Sequence, residues 1–318
     1  MTRTDTAPPL AGSANRKPRR SIRLPAETGA AVGLAALPGL LAIGMVFVLT
    51  MRDIDLSAGA VFHLAAVVAS LLMVSGIDPW LAALVGIALG AALGLINGLL
   101  VITLRLPAMV VTLGTWWMIE GLSLVAGKGQ TIAPPGADSG FFTTLSGKAF
   151  AVVPAACIVF VVLALAMHVV LHRTRFGYRV QAVGSNRQAA AYAGIPTPEV
   201  RLLTLVLMGA MAALAGVIHV GAQGAIAPGY GSGFALLAIA AAIIGGTSLS
   251  GGHGSVVGAA IGVLIVQMIL SAVTLLGVDA AWSTFATGAL TVLALAFDRL
   301  FRLWRNRHAG HGEDNLLG

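Results

Sequence analysis

Asp53 and Asp55, in Met51-Arg52-Asp53-Ile54-Asp55-Leu56-Ser57-Ala58-Gly59, are the only acidic cluster near the long apolar segments of this 318-residue chain. Paired intramembrane carboxylates can serve an aspartyl protease or a prenyl-transferring enzyme, where they share a proton or a metal. Two carboxylates separated by one residue on a helix point about 200° apart, which suits neither task. No G-x-x-x-x-G-K-[ST] loop is present to cradle ATP phosphates, no H-E-x-x-H to hold zinc, and no G-x-S-x-G elbow to present a serine. The seven histidines (His63, His168, His172, His219, His253, His308 and His311) show no metal-ligand spacing. The single cysteine, Cys157, lies in an apolar run and has no partner for an intrachain disulfide. An enzyme using Asp53 and Asp55 is the weaker class of reading. A turn in which Asp55 or Ser57 caps the following helix, facing either headgroups or a polar pathway, is the stronger one.

A second stretch is basic. His172-Arg173-Thr174-Arg175-Phe176-Gly177-Tyr178-Arg179 leads into Gly184-Ser185-Asn186-Arg187-Gln188-Ala189-Ala190-Ala191-Tyr192-Ala193-Gly194-Ile195-Pro196. Asn186 is a good N-cap, the alanines favour helix, Gly194 suits a left-handed C′ position and Pro196 stops the run. Thr197 is expected to cap the next segment, with Pro198 at its first position. The reading is one short helix, either a basic loop that happens to be helical or a plug for a groove on a partner.

These stretches must be positioned by a framework that the composition describes. Hydrophobic residues make up 58% of the chain and charged ones 10%, against about 25% charged in ordinary globular domains. The net charge of +7 does not point to nucleic acid, because the basic residues flank apolar segments. They cluster before residue 24, in the loop 173–201, and in the tail as Arg299, Arg302, Arg305 and Arg307. Short loops rich in Lys and Arg stay cytoplasmic. The chain therefore reads as an all-α, polytopic membrane helix bundle. Its expected parts are a disordered basic arm (1–24), a membrane domain (25–298) with the cytoplasmic loop 173–201, and a cytoplasmic tail (299–318).

Apolar segments long enough to span, or nearly so, fall near 29–51, 56–77, 80–104, 107–126, 149–172, 202–222, 233–249, 254–277 and 280–297, giving about 8–10 crossings with broken or re-entrant helices allowed. If 127–148 lies outside, four preceding spans put the basic N-terminus outside as well, so one early segment fails to cross or the arm lies on the unexpected side. The tight junction at 51–56 is the suspect. Glycines recur every fourth residue at Gly86, Gly90, Gly94 and Gly98, and again at Gly254, Gly258 and Gly262. Such ridges let helices approach closely, within the subunit or at a subunit interface.

Four blocks carry a resemblance. Asp53-Ile54-Asp55-Leu56-Ser57-Ala58-Gly59 is similar to a G-I-D-L-S-V-G block of permease subunits in ribose-type ABC sugar importers, within the branched-chain amino acid and sugar permease superfamily. Gly94-Leu95-Ile96-Asn97-Gly98, with Arg105-Leu106-Pro107 and Val111-Thr112-Leu113-Gly114, resembles the family's next block. Arg173-Thr174-Arg175-Phe176-Gly177 through Gly194-Ile195 is similar to its cytoplasmic coupling segment. Ile244-Gly245-Gly246-Thr247-Ser248-Leu249-Ser250-Gly251-Gly252-His253-Gly254-Ser255 looks like its most recognisable stretch. The blocks occur in order across about residues 40–298.

The resemblance implies a translocation subunit without catalysis, in the cytoplasmic membrane of a bacterium. It implies a second permease subunit, ABC ATPase subunits and an extracytoplasmic solute-binding protein as partners, with lipid around the bundle. This chain would bind no cofactor, and ATP with Mg would sit on the ATPase. ATPase coupling would fall on Arg173, Arg175, Gly177, Asn186, Arg187, Ala189, Ala190 and Gly194. A neutral, hydroxyl-rich cargo calls for a few donors and acceptors and an aromatic face, and Asp55, Ser57, Asn97, Thr112, Trp116 and Trp117 are the pathway candidates. Against that role, Asn97 would bond only a neighbouring helix and the tryptophans would be interfacial anchors. Glu120 is expected to be a satisfied structural carboxylate, with a pathway contribution as the alternative. A nucleoside, an autoinducer or an amino acid is the alternative cargo. Two departures stand out: Arg52-Asp53 replaces a usual Gly-Gly, and the helix that usually precedes 29–51 is missing, so that either the start lies upstream of Met1 or the subunit is a shortened variant.

Overall fold

The computed structural model describes residues 24–136, 138–149, 153–275, 282, 285–294 and 296. The expected arm before residue 24 and the tail from 299 lie outside the described residues, as does part of the span expected at 280–297. In chain order the elements are α1 (Leu24–Thr50), α2 (Ala58–Val74), α3 (Pro79–Thr103), α4 (Ala108–Ala126), α5 (Gly140–Ser146), β1 (Lys148–Ala149), β2 (Val153–Pro154), α6 (Ala155–Arg173), α7 (Arg175–Ser185), α8 (Arg187–Tyr192), α9 (Thr197–Gln223), α10 (Phe234–Ile244), α11 (Val256–Leu275) and α12 (Phe285–Ala294). The architecture is an all-α bundle whose only described strands form a two-residue antiparallel hairpin. Among the described residues, five helices, α3, α4, α6, α9 and α11, are long and apolar enough to cross a membrane.

Local chemistry sets the boundaries. Asp78 opens α3 by accepting from the Trp80 and Leu81 amides at 3.0 and 3.1 Å, with Pro79 at the first turn where its missing N–H costs nothing. Pro198 occupies the first turn of α9, but Pro196 rather than Thr197 takes the cap position, so Thr197 lies inside the helix. Gly224, at φ +71°, ends α9 in the left-handed conformation.

Helix α9 is the axis of the bundle. Its most apolar stretch is 72% buried, against 22–33% for the other four long helices, and it packs on α1, α2, α3 and α5. The glycine ridge of α3 makes the closest of these contacts possible. A Cβ at Gly94 would overlap the Leu205 carbonyl, one at Gly90 would overlap Ala213 and the Gly209 carbonyl, and Gly209 sits equally tight against Gly90. The ridge on α11 does the same against α10, where Gly258 meets the Gly245 carbonyl and Gly262 the Ala241 carbonyl. Both ridges are thus used within the subunit. Large apolar side chains on the outer faces, among them Leu84, Ile96, Met118, Val125 and Leu165, are exposed, as suits lipid or a second subunit.

The directions of the helices resolve the 51–56 junction. The Thr50 carbonyl at the end of α1 accepts from Gly252 N at 2.8 Å, and Gly184 at the end of α7 packs on the same carbonyl. Helix α1 therefore runs toward the face that carries the basic loop, and 51–57 is a turn at that end from which α2 returns. On the opposite side Ile132 pairs with Ile226, joining the segments that follow α4 and α9. Helix α5 packs beside α9 there, its Phe141 and Leu145 meeting Gly221.

A further interrupted segment lies at α10. Helix α10 has 11 residues, about 16 Å at about 1.5 Å per residue, or roughly half of a hydrocarbon core about 30 Å thick. Residues 224–233 lead to it as irregular backbone, with Gly231 against Gly59 and the Phe62 ring. Irregular backbone at membrane depth persists only where protein buries it or a polar cavity hydrates it.

Candidate functional site

The turn 51–57 gathers most of the sequence-derived candidates. Its outer layer is ionic. Arg201, in the first turns of α9, donates to both Asp53 oxygens at 2.7 and 2.8 Å, and Arg187, the first residue of α8, stands 3.8 Å from the same carboxylate. Asp53 is buried, Arg201 nearly so, and Arg187 half exposed. A planar guanidinium meeting a carboxylate through two parallel bonds fixes both direction and distance. Burial first, then the charge of Arg201, lowers the Arg187 pKa from its ordinary value; Asp53 works against that shift and Arg52 adds to it. Arg52, held at φ +63°, donates to the Ser250 carbonyl. A cavity of about 640 Å³ opens here, walled by Arg52, Arg105, Arg187, Arg201 and Asp53.

One layer inward the side chains interlock. Asp55 Oδ1 accepts from the Ser57 amide at 2.8 Å and its hydroxyl at 2.6 Å. Asn97 of α3 donates to Ser57 Oγ at 2.8 Å. Thr112 of α4 accepts from the Leu56 amide and donates to the Ile54 carbonyl. Asp55, Ser57, Asn97 and Thr112 are all buried. Ser57 holds the cap position of α2 with no side-chain bond to the helix, and of the two expected caps it is Asp55 that meets an orphan amide, accepting from Ser57 N. The structure thus brings together four of the six pathway candidates as the seam of α2, α3 and α4. Asp53 and Asp55 point to different partners, and no shared proton or metal position forms between them. Trp116 and Trp117, about one helical turn beyond Thr112 on α4, stack on each other at 5.4 Å, with Trp116 half-buried and Trp117 67% exposed.

The basic loop folds as two helices where one was expected. The Thr174 hydroxyl accepts from Gly177 N to open α7, and Gly177 passes so close to the Leu171 carbonyl that only glycine fits. Asn186 then separates α7 from α8, its Oδ1 accepting from the Gln188 and Ala189 amides at 3.1 and 3.0 Å. Gly194 leaves α8 at φ +80°. Ala190 faces inward, while Arg187, Gln188, Ala189 and Tyr192 face out, Tyr192 at 92% exposure. Arg173 and Arg175 flank a second cavity of about 480 Å³. The missed α7 has a legible signal: Thr174 is a good cap, and Val180 and Val183, three residues apart, both face inward.

A second polar group went unrecognised in the sequence. His63 of α2 and Glu120 of α4 approach to 3.4 Å, and His219 of α9 stacks on Tyr230 with ring centroids 4.2 Å apart. Phe62 touches both His219 and Tyr230. Glu120 meets His63 through Oε1, while its buried Oε2 has no hydrogen-bond partner among the described residues. No sequence motif links these four residues; only the fold does.

A family model described as "Branched-chain amino acid transport system / permease component" matches residues 29–295. The ribose import permease protein of Bacillus subtilis is 38% identical over 265 residues, 83% of this chain and 82% of that protein. The D-allose transport system permease protein of Escherichia coli is 36% identical, covering 82% of this chain and 79% of its own length. The autoinducer 2 import system permease protein of Yersinia enterocolitica is 36% identical, over 83% of this chain and 72% of that protein. No solved structure matches the chain.

Proposed function

The chain belongs to the branched-chain amino acid transport system permease family, and from that membership we propose that it passes a simple sugar of pentose or hexose type through the membrane. It is a permease subunit, multi-pass in the bacterial plasma membrane, and not an enzyme; ATP hydrolysis lies with partner ATPases. The family implies ATPase and binding-protein partners. The relatives named for ribose and D-allose support the sugar.

The observation that carries the mechanism is the Asp53 junction. Helix α8 presents an exposed, alanine-rich face, and its first residue, Arg187, reaches the carboxylate that also holds α9 through Arg201. Two residues further along the turn, Asp55 begins the buried seam of Ser57, Asn97 and Thr112. An ATPase pressing on Arg173, Arg175, Gly177, Asn186, Arg187, Ala189, Ala190 and Gly194 would act on α9 and the foot of α2 together. Two permease copies rocking in this way would open a path alternately to either side. ATP with Mg would be bound by the ATPase, and no cofactor by this chain. Asp55, Ser57, Asn97 and Thr112 would set the inner part of the path, with Trp116 and Trp117 further along α4.

The test replaces 186–194 by a flexible linker in the complete importer. Uptake of labelled ribose or allose and co-purification of the ATPase should both be lost; persistence of either overturns the coupling role. Autoinducer 2 is the second reading of the cargo, supported by the relatives named for it. Competition among labelled ribose, allose and autoinducer 2 in one uptake assay decides between them.

A further inference from the structure

We propose that His63, Glu120 and Tyr230 form a hydroxyl-binding subsite at mid-membrane depth, resting on the sugar reading above. Glu120 stands twelve residues above Ala108, a rise of about 18 Å at about 1.5 Å per residue, which is near the middle of a core about 30 Å thick. Ionisable side chains at that depth usually face a bundle interior or a water-filled path and mark a route for solute. His63 Nδ1 lies 3.4 Å from Glu120 Oε1, an ion-pair distance without hydrogen-bond geometry. Glu120 Oε2, His63 Nδ1 and His219 Nδ1 are all buried atoms without a hydrogen-bond partner among the described residues. Buried polar atoms are normally paired, so three orphans in one group point to a partner that comes and goes.

The surroundings leave room for that partner. The group sits where the span ending in α10 is broken, and Gly229, at φ +68°, lies beside Glu120 Oε1. A Cβ at Gly121 or at Gly233 would meet nothing within 4 Å. Tyr230 and Glu120 are both partly exposed, while His63 is buried. Trp116, half-buried one helical turn below Glu120, adds an aromatic face on the same side of α4.

The chemistry selects a class. A carboxylate accepts hydrogen bonds, and the Tyr230 hydroxyl can both donate and accept. A neutral polyhydroxylated solute supplies both kinds of group and a C–H face for the indole. An anionic solute would be repelled by Glu120.

The complete importer in proteoliposomes, with its binding protein and ATPase, provides the test. Initial uptake of ribose and of 2-deoxyribose is measured for the wild type and for the near-isosteric variants Glu120→Gln and Tyr230→Phe. Comparing variants cancels the preference of the binding protein. Glu120→Gln should lower ribose uptake tenfold or more and bring the ribose-to-deoxyribose ratio at least threefold closer to one, with ATPase co-purification unchanged. Tyr230→Phe should lower uptake a few-fold with the same narrowing. An unchanged ratio in both variants, or uptake falling only in step with lost assembly, overturns the subsite while leaving the sugar reading intact. Failure of the wild type to carry any sugar overturns both.

Discussion

Asp53 holds Arg201 through two hydrogen bonds of 2.7 and 2.8 Å, joining positions 148 apart in the chain. The pair ties the foot of α9, which packs on α1, α2, α3 and α5, to the turn that starts α2. Removing one member of a buried ion pair costs about 3–5 kcal/mol, because the other charge is left without compensation. Asp53→Ala and Arg201→Ala should each lower the thermal midpoint of the detergent-solubilised protein by several degrees and cut uptake. The double variant should lose less than the two losses added, since it leaves no orphaned Asp53 or Arg201. Strict additivity in that cycle would show that the two side chains act independently.

The cap of α8 is the next testable joint. Asn186 satisfies two amides that a helix of six residues cannot otherwise pair, and truncating such a cap costs about 1 kcal/mol. Asn186→Ala should therefore loosen α8, raising amide exchange at 187–192 and weakening ATPase retention. Asn186→Ser keeps an acceptor and should preserve both. Equal retention by the alanine variant would remove the cap from the coupling argument.

The reason some of this was legible in the sequence, and some was not, lies in the range of each interaction. Asn186, Gly194 and Pro196 act within one helical turn, so their roles could be read from neighbours alone. The glycine spacing at 86–98 is a property of one helix face, and it forecast close packing, though not that α9 would be the partner. Asp53 with Arg201 joins two segments whose pairing depends on how α1 and α9 meet, which no local pattern contains. The same holds for His63, Glu120, His219 and Tyr230, single polar residues on separate elements. Thr197 lies inside α9 rather than at its cap because both Pro196 and Pro198 punctuate that start, and the helix begins after the first of them. Asp55 rather than Ser57 meets the first amide of α2 because the Ser57 hydroxyl is already committed to Asp55 and Asn97.

Asn97 offers a test of the seam. It donates to Ser57 across two helices, and its Oδ1 has no partner among the described residues. Asn97→Ala should remove one buried bond and leave Ser57 held by Asp55 alone, at a cost of about 1 kcal/mol. Asn97→Asp places a second carboxylate close to Asp55, and repulsion between like charges away from water costs more. Thermal stability should therefore fall in the order wild type, Asn97→Ala, Asn97→Asp. The opposite order would mean that the seam is wetter than its burial indicates.

The broken span supplies the last prediction. Gly59 and Gly231 touch where the irregular 224–233 segment crosses the start of α2, and Gly231 is held at φ +93°. A Cβ on Gly59 would overlap the Gly231 carbonyl, and one on Gly231 would collide with the Phe62 ring. Phe62 also packs on Phe234 at 5.3 Å, the first residue of α10. Displacing it would disturb both the break and the half-helix that follows. Gly59→Ala and Gly231→Ala should each lower the thermal midpoint and abolish uptake, with Gly231→Ala the worse because it adds backbone strain of about 1–2 kcal/mol. Gly114→Ala is the control. Its Cβ would meet nothing within 4 Å on α4, and alanine favours helix over glycine by about 0.5–1 kcal/mol. That variant should match or exceed the wild-type midpoint with uptake intact. Wild-type behaviour of Gly59→Ala would show that the segment before α10 is not seated on α2 in the membrane.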